Sequence, residues 1–297
     1  MLYYLLRTPK LTEESIYKRN KTIQKFIEDK ELRGNIQQIL SNLGQQRKGD
    51  IFKLFNTNAV VSKTKVILFN FIAFSALIVL ICFFIFGSNY MPIFLFIFVI
   101  YMLISSRTAS EIENELSSLQ YLGKIIRAAK KISKIEDETL KEYINKINTL
   151  LVPLSKIDNK TKYISNSSEL DIFIETINGF FLTKIRSYYS IINIIKNNRQ
   201  NLIELYALIG KLEAYISVAS YRCRVSNYYI PKFLDSKDKT LIIKNVIHPL
   251  IEDCVPNSIT LKGKGVILTG SNMAGKSTFM RTLATNILLS QSLSMCL

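Results

Sequence analysis

The stretch from Val266 to Thr278 constrains the fold of this chain more than any other. Three apolar residues, Val266 to Leu268, precede a loop from Gly270 to Gly275, and Lys276-Ser277-Thr278 opens a helical pattern. This is the G-x-x-x-x-G-K-[ST] pattern, in which glycines let backbone N–H groups turn towards a chain of phosphates. The sequence therefore predicts a strand, a phosphate-binding loop and a helix, in that order.

The residue types of this loop predict a site for ATP and Mg²⁺. Lys276 would reach the β- and γ-phosphates as a point charge, and the Ser277 hydroxyl would ligate Mg²⁺. The expected phosphate-binding residues are Gly270, Ser271, Asn272, Met273, Ala274, Gly275, Lys276, Ser277 and Thr278. The spacing of apolar residues in the following helix predicts a buried face formed by Met280, Leu283, Ala284, Ile287 and Leu288.

The residues inside the loop are similar to those of one ATPase family. Thr269 to Arg281 reads T-G-S-N-M-A-G-K-S-T-F-M-R. It resembles the nucleotide loop of the MutS family, T-G-P-N-M-x-G-K-S-T-x-x-R, with Ser271 in place of the usual proline. His248-Pro249 and Val255-Pro-Asn257 also resemble that family's lead-in to the loop. The chain is therefore identified as a MutS-like protein.

The resemblance implies a function as well as a fold. MutS-like proteins are DNA mismatch repair ATPases of the ABC type that act as dimers and couple ATP occupancy to their grip on DNA. ATP, Mg²⁺, DNA (non-specific or mismatched) and a second copy of the chain are thus the expected partners. By position, Cys254 and Val255 would lie on the adenine side of the nucleotide.

Two apolar runs predict a helical hairpin that crosses a membrane. The first, Val66 to Phe86, carries no charge, and at a rise of ~1.5 Å per residue it spans ~30 Å, the thickness of a bilayer's hydrocarbon core. The second runs from Met91 to Ile104. Lys63, Lys65 and Arg107 flank the pair, which predicts spans at 66–86 and 90–105 with both ends in the cytoplasm. A hydrophobic hairpin buried in a soluble core is the alternative.

The rest of the chain is predicted to be mostly α-helical. Thr12 precedes two acidic residues and predicts a helix start. The apolar positions expected in the core are Ile16, Ile23, Phe26, Ile27, Ile112, Leu116, Leu119, Ile126, Ala129, Leu140, Ile144, Ile147, Leu151, Leu202, Leu205, Leu208, Leu212 and Tyr215. Short strands are expected at 241–243 and 259–261.

These patterns predict a mostly α-helical core with a transmembrane hairpin, followed by the start of an α/β P-loop domain of the ABC type. The expected divisions are 1–60 for the first part of a MutS-like core and 61–106 for the inserted hairpin. Residues 107–235 would complete the core and lever, and residues 236–297 would form the N-terminal part of the ATPase domain.

Composition bears on the binding partners and on the kinds of site that the chain can have. The net charge of +16 suits nucleic acid or an anionic membrane surface equally well. Because the lysines are scattered rather than clustered, a merely lysine-rich solvated surface is an equal alternative. The four cysteines lie far apart and there is one histidine, which argues against a disulfide framework, a zinc site and a Ser-His-Asp triad. The tyrosines at helical spacing favour core packing over base stacking.

Several parts of the MutS pattern have no match in the sequence. No Asp or Glu follows Thr278 to hold Mg²⁺ and orient water, and no signature loop is found, so the catalytic residues stay unknown and the chain is expected to be an incomplete member. Two F-x-E tripeptides, at Phe26 and Phe173, fall in helical patterns. The main hypothesis is a membrane-anchored MutS-like ATPase that acts on DNA. The alternatives are a membrane-tethered nucleotide-dependent interaction module without a DNA role, and a half-transporter, which a single hairpin disfavours.

Overall fold

A computed structural model describes residues 2–7, 12–44, 46, 49–56, 63–86, 90–161, 176–177, 179–225, 227–234 and 239–297. The first helices are α1 (Leu2–Arg7), α2 (Glu13–Glu28), α3 (Lys30–Ser41), α4 (Ile51–Asn56), α5 (Lys63–Phe86) and α6 (Met91–Glu111). They are followed by α7 (Glu113–Ile132), α8 (Lys141–Leu151), α9 (Ser155–Thr161), α10 (Thr183–Asn197) and α11 (Arg199–Arg224). Two strands, β1 (Thr240–Val246) and β2 (Asn257–Lys262), precede α12 (Lys276–Leu293). The prediction of a mostly helical chain is confirmed.

The chain divides into two compact units. The first unit comprises Met1–Gln37, Glu138–Leu140 and Gly210–Leu297, and therefore holds the phosphate loop. The second comprises Gln38–Asp137 and Lys141–Ile209, and holds the apolar hairpin.

Helix α2 shows how the sequence builds the first unit. The Thr12 hydroxyl accepts a hydrogen bond from the Ser15 backbone N–H at 3.3 Å, which caps the helix where the sequence predicts a start. Ile16, Ile23 and Phe26 lie on one face of α2 and are buried, as their spacing predicts. Burial of such a stripe, rather than helix propensity, supplies most of the stability of a helix in a protein.

The strands β1 and β2 form an antiparallel pair in the first unit. Thr240 lies opposite Lys262, and the register shifts between Ile243 and Val246. Asn245 has a φ of 53° at this irregularity, a conformation that asparagine tolerates better than most residues. Both predicted strands are confirmed.

The strand predicted at Val266–Leu268 is wrong. These residues follow β2 without regular structure, and their side chains are 62, 89 and 42% exposed. An all-apolar strand is stable where neighbouring strands pair with it and both its faces are covered. Within the described ranges β1 and β2 pair with each other, so Val266–Leu268 has neither the ladder nor the cover that a strand needs.

Helix α7 lies at the centre of the second unit and contacts α4, α8 and α9. The predicted core positions of α7, α8 and α11 are buried, which confirms the helical stripes. Asp158 on α9 is also buried, and Lys130 of α7 neutralises it through a contact of 2.6 Å between Nζ and Oδ2. Because an unpaired buried carboxylate would be costly, this pair helps define how α7 and α9 pack.

Helices α5 and α6 form the predicted hairpin. The ring centroids of Phe83 and Phe94 lie 4.5 Å apart near the end of α5 and the start of α6. Closer to the helical bundle, the hydroxyls of Ser75 and Tyr101 are hydrogen-bonded at 2.7 Å. Both helices are long and apolar enough to cross a membrane, by length and composition, and most of their large side chains are exposed. The alternative, a hydrophobic hairpin buried in a soluble core, does not fit because these side chains are exposed.

The chain leaves the second unit's helical bundle for the hairpin and returns to it at one place. Helix α4, just before the hairpin, packs on α7, just after it. Gly49 has a φ of 77°, and a Cβ there would overlap the carbonyl oxygen of Asn114 and the hydroxyl of Ser118. Only glycine fits this close approach, so the two ends of the insertion are held together.

Candidate nucleotide-binding site

The phosphate loop is an exposed turn held by two glycines. Gly270 has a φ of 156° and Gly275 a φ of 77°, and the Ala274 N–H donates to the Ser271 carbonyl at 3.3 Å. Met273 also has a positive φ, 67°, and its side chain is fully exposed. The loop therefore presents its backbone to solvent, as a site that approaches a phosphate through N–H groups requires.

Lys276 is tied to this loop. Its Nζ donates to the Gly270 carbonyl at 2.6 Å and also to the Ser271 carbonyl. A half-buried ammonium that has loop carbonyls as acceptors lies close to the turn, where an anion in the loop would meet it. The structure thus brings Lys276 together with Gly270 and Ser271.

The start of α12 suits an anion. No side chain caps the helix at Gly275, and its first turn contains no acidic residue. The Phe279 N–H bonds to the Gly275 carbonyl at 2.8 Å, and the side chains of Ser277 and Thr278 are exposed beside it. The helix dipole adds roughly half a positive charge at this end.

The sequence around the site reinforces that charge. Residues 254–297 contain Lys262, Lys264, Lys276 and Arg281 but no Asp or Glu. A polyphosphate approaching the loop therefore meets only positive formal charges in this part of the chain.

The residues present fit Mg²⁺ only together with a nucleotide. Among the described residues, no group of three or more His, Cys, Asp or Glu could hold a metal ion. Mg²⁺ is commonly bound through one or two protein oxygens plus phosphate oxygens and water. Here the exposed Ser277 hydroxyl is the protein oxygen that the motif assigns to it.

The residues expected on the adenine side lie in a turn of their own. The Cys254 thiol accepts a hydrogen bond from the His248 N–H at 3.3 Å, and the Val255 carbonyl accepts one from Asn257 Nδ2 at 2.9 Å. His248 Nδ1 accepts from the Leu250 N–H at 3.2 Å, so this histidine stabilises a turn, as its position before a proline predicts. The Val255 side chain is 74% exposed, which leaves an apolar surface open to a base.

Helix α12 buries a different face from the one the sequence predicts. Leu283 is buried, but Met280 is 58% exposed, Leu288 is 37% exposed and Ala284 is also exposed. The residues that α12 buries are Thr282, Leu283, Asn286, Leu289, Ser292 and Leu293. Helix α12 packs on α1, α2 and β1, and the face that it buries carries polar contacts as well as apolar area.

Two buried arginines supply those contacts at the far end of α12. Arg222 of α11 donates from Nη2 to the carbonyls of Leu293 and Ser294, and from Nη1 to Asn20 Oδ1 at 2.8 Å. Arg19 of α2 donates from Nη1 to the Ser292 carbonyl. Cations at a helix C-terminus satisfy its orphan carbonyls and oppose the negative end of the dipole. We call this group the arginine clamp (Arg19, Arg222 and the carbonyls of 292–294).

The clamp is almost fully desolvated. Arg19 is 4% and Arg222 1% exposed, and the Nε atom of each has no hydrogen-bond partner. Burial lowers the pKa of Arg222, and Tyr228, whose ring lies 5.2 Å from the guanidinium carbon, opposes that effect. The sequence held a signal for both arginines, because each falls on an apolar stripe: Arg19 between Ile16 and Ile23, Arg222 three residues beyond Ala219.

A buried asparagine completes the packing of α12. Asn286 is 1% exposed, and its Nδ2 donates to the Ile247 carbonyl at 2.9 Å while its Oδ1 accepts from the Leu297 N–H at 2.8 Å. One side chain therefore joins the helix to the end of β1 and to the last residue of the sequence. Nothing in the apolar spacing indicates this role.

The structure also places the F-x-E tripeptides and tyrosines that the sequence analysis considered for DNA contacts. Phe26, in the first F-x-E tripeptide, is fully buried on α2 and packs in the core, while Phe173 to Glu175 lies outside the described residues. Tyr188 and Tyr215 are buried, which confirms core packing for those two tyrosines.

Comparison with known proteins agrees with the loop residues. No protein-family model matches the chain, and no solved structure matches it. It is 34% identical over 148 residues to the DNA mismatch repair protein MSH3 of Candida glabrata, covering 48% of this chain and 13% of that protein. It is 29% identical over 168 residues to the DNA mismatch repair protein MutS of Caldanaerobacter subterraneus, covering 52% and 18%. MutS of Thermus aquaticus is 35% identical over 99 residues. The matched stretches span less than a fifth of the first two relatives.

Proposed function

Because this chain belongs to the MutS family, we propose that it binds ATP with Mg²⁺ at Gly270–Thr278, couples nucleotide occupancy to DNA binding, and is held at a membrane by its hairpin. The observation that carries the proposal is the loop itself. Lys276 lies on the loop carbonyls at the uncapped, acid-free start of α12. We infer that 236–297 is the first part of an ABC-type P-loop domain.

Each residue of the loop has a specific role in this proposal. The backbone N–H groups between Gly270 and Gly275 and the first turn of α12 bind phosphate oxygens. Lys276 leaves the carbonyls of Gly270 and Ser271 and places its ammonium at the β- and γ-phosphates. Ser277 supplies an oxygen ligand to Mg²⁺, which neutralises phosphate charge when it is bound.

Binding does not require turnover. Hydrolysis also needs an acidic group that orients water and completes the Mg²⁺ shell. Residues 254–297 contain no Asp or Glu. We therefore propose that the 297-residue chain binds ATP–Mg²⁺ without hydrolysing it by itself, and that turnover in this family member needs groups from another segment or from a second copy in a homodimer.

The DNA role rests on similarity and charge. The relatives are DNA mismatch repair proteins, and this chain carries a net charge of +16. Such a charge supplies sequence-independent attraction to phosphates.

The membrane role rests on the exposed apolar surface of α5 and α6, with Lys65 and Arg107 near its ends. The divisions 1–60, 61–106 and 107–235 remain our proposal for how the core and the inserted hairpin are arranged.

Nucleotide titration of the detergent-solubilised full chain, alongside phosphate release, tests the proposal. Lys276→Ala is expected to abolish ATP binding, because the amides would then hold a polyanion without their nearest cation. Lys276→Arg is expected to fail too, since a longer planar fork does not replace a compact ammonium. Lys264→Ala is the matched control, because Lys264 is an exposed lysine in the turn after β2.

Two outcomes would contradict the proposal. ATP binding of equal strength in Lys276→Ala and Lys264→Ala would show that the loop is not the site. Sustained phosphate release that disappears in Lys276→Ala would show that a catalytic acid exists upstream of residue 254.

A further inference from the structure

A tight turn at Gly179–Leu182 packs against the apolar hairpin. The Phe180 ring lies 5.2 Å from the ring of Tyr101 and 5.5 Å from that of Phe98, measured between centroids. Phe180 is 5% exposed and shares a buried cluster with Ala76 and Tyr101. The turn therefore contacts both helices of the hairpin.

The contact lies deep along the hairpin. Ala76 is ten residues beyond Val66, where the uncharged run begins, which is ~15 Å at a helical rise of ~1.5 Å per residue. Tyr101 is six residues before Arg107, or ~9 Å by the same rise. A hairpin that crosses a hydrocarbon core of ~30 Å places this contact well inside the apolar layer.

The backbone of the turn is suited to such a place. The Phe181 N–H donates to the Ile177 carbonyl at 3.0 Å, and the Leu182 N–H donates to the Gly179 carbonyl at 3.2 Å. Irregular backbone is tolerated at membrane depth where its polar groups are satisfied and protein covers it. Leu182 has a φ of 52°, a conformation that is unfavourable for a non-glycine residue, and its side chain is buried at 1% exposure.

Gly179 allows the turn to approach α6 closely. A Cβ at this position would lie 3.1 Å from the Met102 sulfur and 3.6 Å from the Ser105 hydroxyl. The small residue therefore lets the backbone pack on the hairpin, as small residues do between membrane helices.

Helix α10 then leads away from this depth. Tyr189 stacks on Phe69 with ring centroids 5.4 Å apart, and Arg186 Nε donates to Asn70 Oδ1 at 2.8 Å. Phe69 and Asn70 are only three and four residues beyond Val66, near the charged end of α5. Helix α10 thus runs from the level of Phe180 towards the charged end of α5 within two turns. Lys184 lies between them, and a lysine stem can extend its ammonium towards a polar surface.

We propose that Gly179–Leu182 and the start of α10 form a third membrane-embedded element, in which the half-buried Phe181 and, just before the turn, the 42% exposed Ile177 contact lipid acyl chains. This inference rests on the proposed membrane anchoring. It assigns the second unit a membrane surface made of three chain segments rather than two.

The chain contains no tryptophan, so a single introduced tryptophan reports its own environment. Phe181→Trp is reconstituted in phosphatidylcholine vesicles with or without bromine on the lipid acyl chains. Phe84→Trp, on the exposed outer part of α5, reports on the hairpin, and Phe52→Trp, on α4, reports on the surface outside it. Circular dichroism checks that each variant is folded, and Ile177→Trp replaces Phe181→Trp if that variant is not.

The inference expects brominated lipid to quench Phe181→Trp to an extent comparable with Phe84→Trp, while Phe52→Trp keeps its emission. Quenching of Phe84→Trp without quenching of Phe181→Trp or Ile177→Trp would overturn the third element and leave the anchored hairpin intact. Absence of quenching at Phe84 as well would overturn the membrane anchoring itself.

Discussion

Arg222 Nη2 lies 2.7 Å from the carbonyl oxygen of Leu293, at the opposite end of α12 from the phosphate loop. The helix has 18 residues, so the nucleotide site and the arginine clamp are ~27 Å apart along one rigid element. The clamp draws its guanidinium groups from α2 and α11, so residues far apart in sequence fix the C-terminal end of the helix.

Arg222→Ala is expected to destabilise the first unit by about 3 kcal/mol, because hydrogen bonds to buried charged groups contribute ~1.5–3 kcal/mol each and two carbonyls lose their partner. Urea unfolding in detergent, followed by circular dichroism, measures the change. Arg224→Ala is the matched control: Arg224 is exposed, lies two residues further on α11, and removes the same charge. Equal midpoints for both variants would show that the clamp does not stabilise α12.

Gly275→Ala is expected to weaken ATP binding by about tenfold, equivalent to ~1.4 kcal/mol. Gly275 has a φ of 77°, and although a Cβ there meets open space, alanine is strained in this conformation. Gly263→Ala is the control, because Gly263 has a φ of 62° and equally open surroundings but lies outside the loop. Both variants should lose a similar free energy of unfolding, and only Gly275→Ala should lose affinity. A similar loss of ATP affinity in Gly275→Ala and Gly263→Ala would show that the geometry of the loop is not its cause.

Stability below pH 4 is expected to depend on Asp29, which caps α3. The Leu32 N–H donates to Asp29 Oδ1 at 2.9 Å, and this bond, with Lys25 beside it, lowers the pKa of Asp29 below its ordinary value of 3.8. A depressed pKa in the folded state means that the stabilisation is present above pH 3.8 and is lost as the pH falls through the lower, folded-state pKa.

Thermal unfolding at pH 6 and at pH 3 compares the wild type with Asp29→Asn, in which the acceptor remains but the charge is gone. The variant should lose less stability between the two pH values than the wild type. Glu31→Gln, an exposed acid in the first turn of α3, is the control. An identical pH dependence in wild type and Asp29→Asn would refute the assignment.

DNA binding is expected to be weak, steeply dependent on salt, and nearly indifferent to mismatches. The net charge of +16 supplies attraction to phosphates, and no base-reading element is recognisable in the described residues. Retention of matched and mismatched duplexes across a salt series measures both properties. A preference above about tenfold, or ~1.4 kcal/mol, would reveal a reading element. No retention even at low salt would favour a membrane-tethered interaction module without a DNA role.

The hairpin is expected to place its tip across the membrane, with both ends on the cytoplasmic side. In a chain whose native cysteines are replaced, Ser88→Cys should react with an impermeant maleimide only from the far side; Ser88 lies outside the described residues. Ser110→Cys, at an exposed position beyond Arg107, should react only from the cytoplasm. Reaction of both from the cytoplasm would contradict a spanning hairpin.

Local patterns predicted much of this fold because local physics determines it. Helical spacing identified buried residues of α2, α7 and α11, and the glycine positions of the loop motif located the turn whose carbonyls Lys276 contacts. The rotated face of α12 and the missing strand at 266–268 depend on long-range partners. Asn286 lies on the buried face of α12 and, like Arg222 and Arg19, bonds to a residue distant in sequence, and apolar spacing does not encode those contacts.

The close approach of Gly49 to Asn114 has a consequence for how such a chain arises. The bundle of the second unit closes across the junction between α4 and α7, so a segment placed there lengthens a loop and leaves the packing of α4 on α7 in place. Loop closure is forgiving, since doubling the length of a flexible loop costs only ~0.6 kcal/mol. The apolar hairpin can therefore be inserted or removed at this junction while α4 and α7 stay packed together, and the contacts of α10 with α5 and α6 are the ones that depend on its presence.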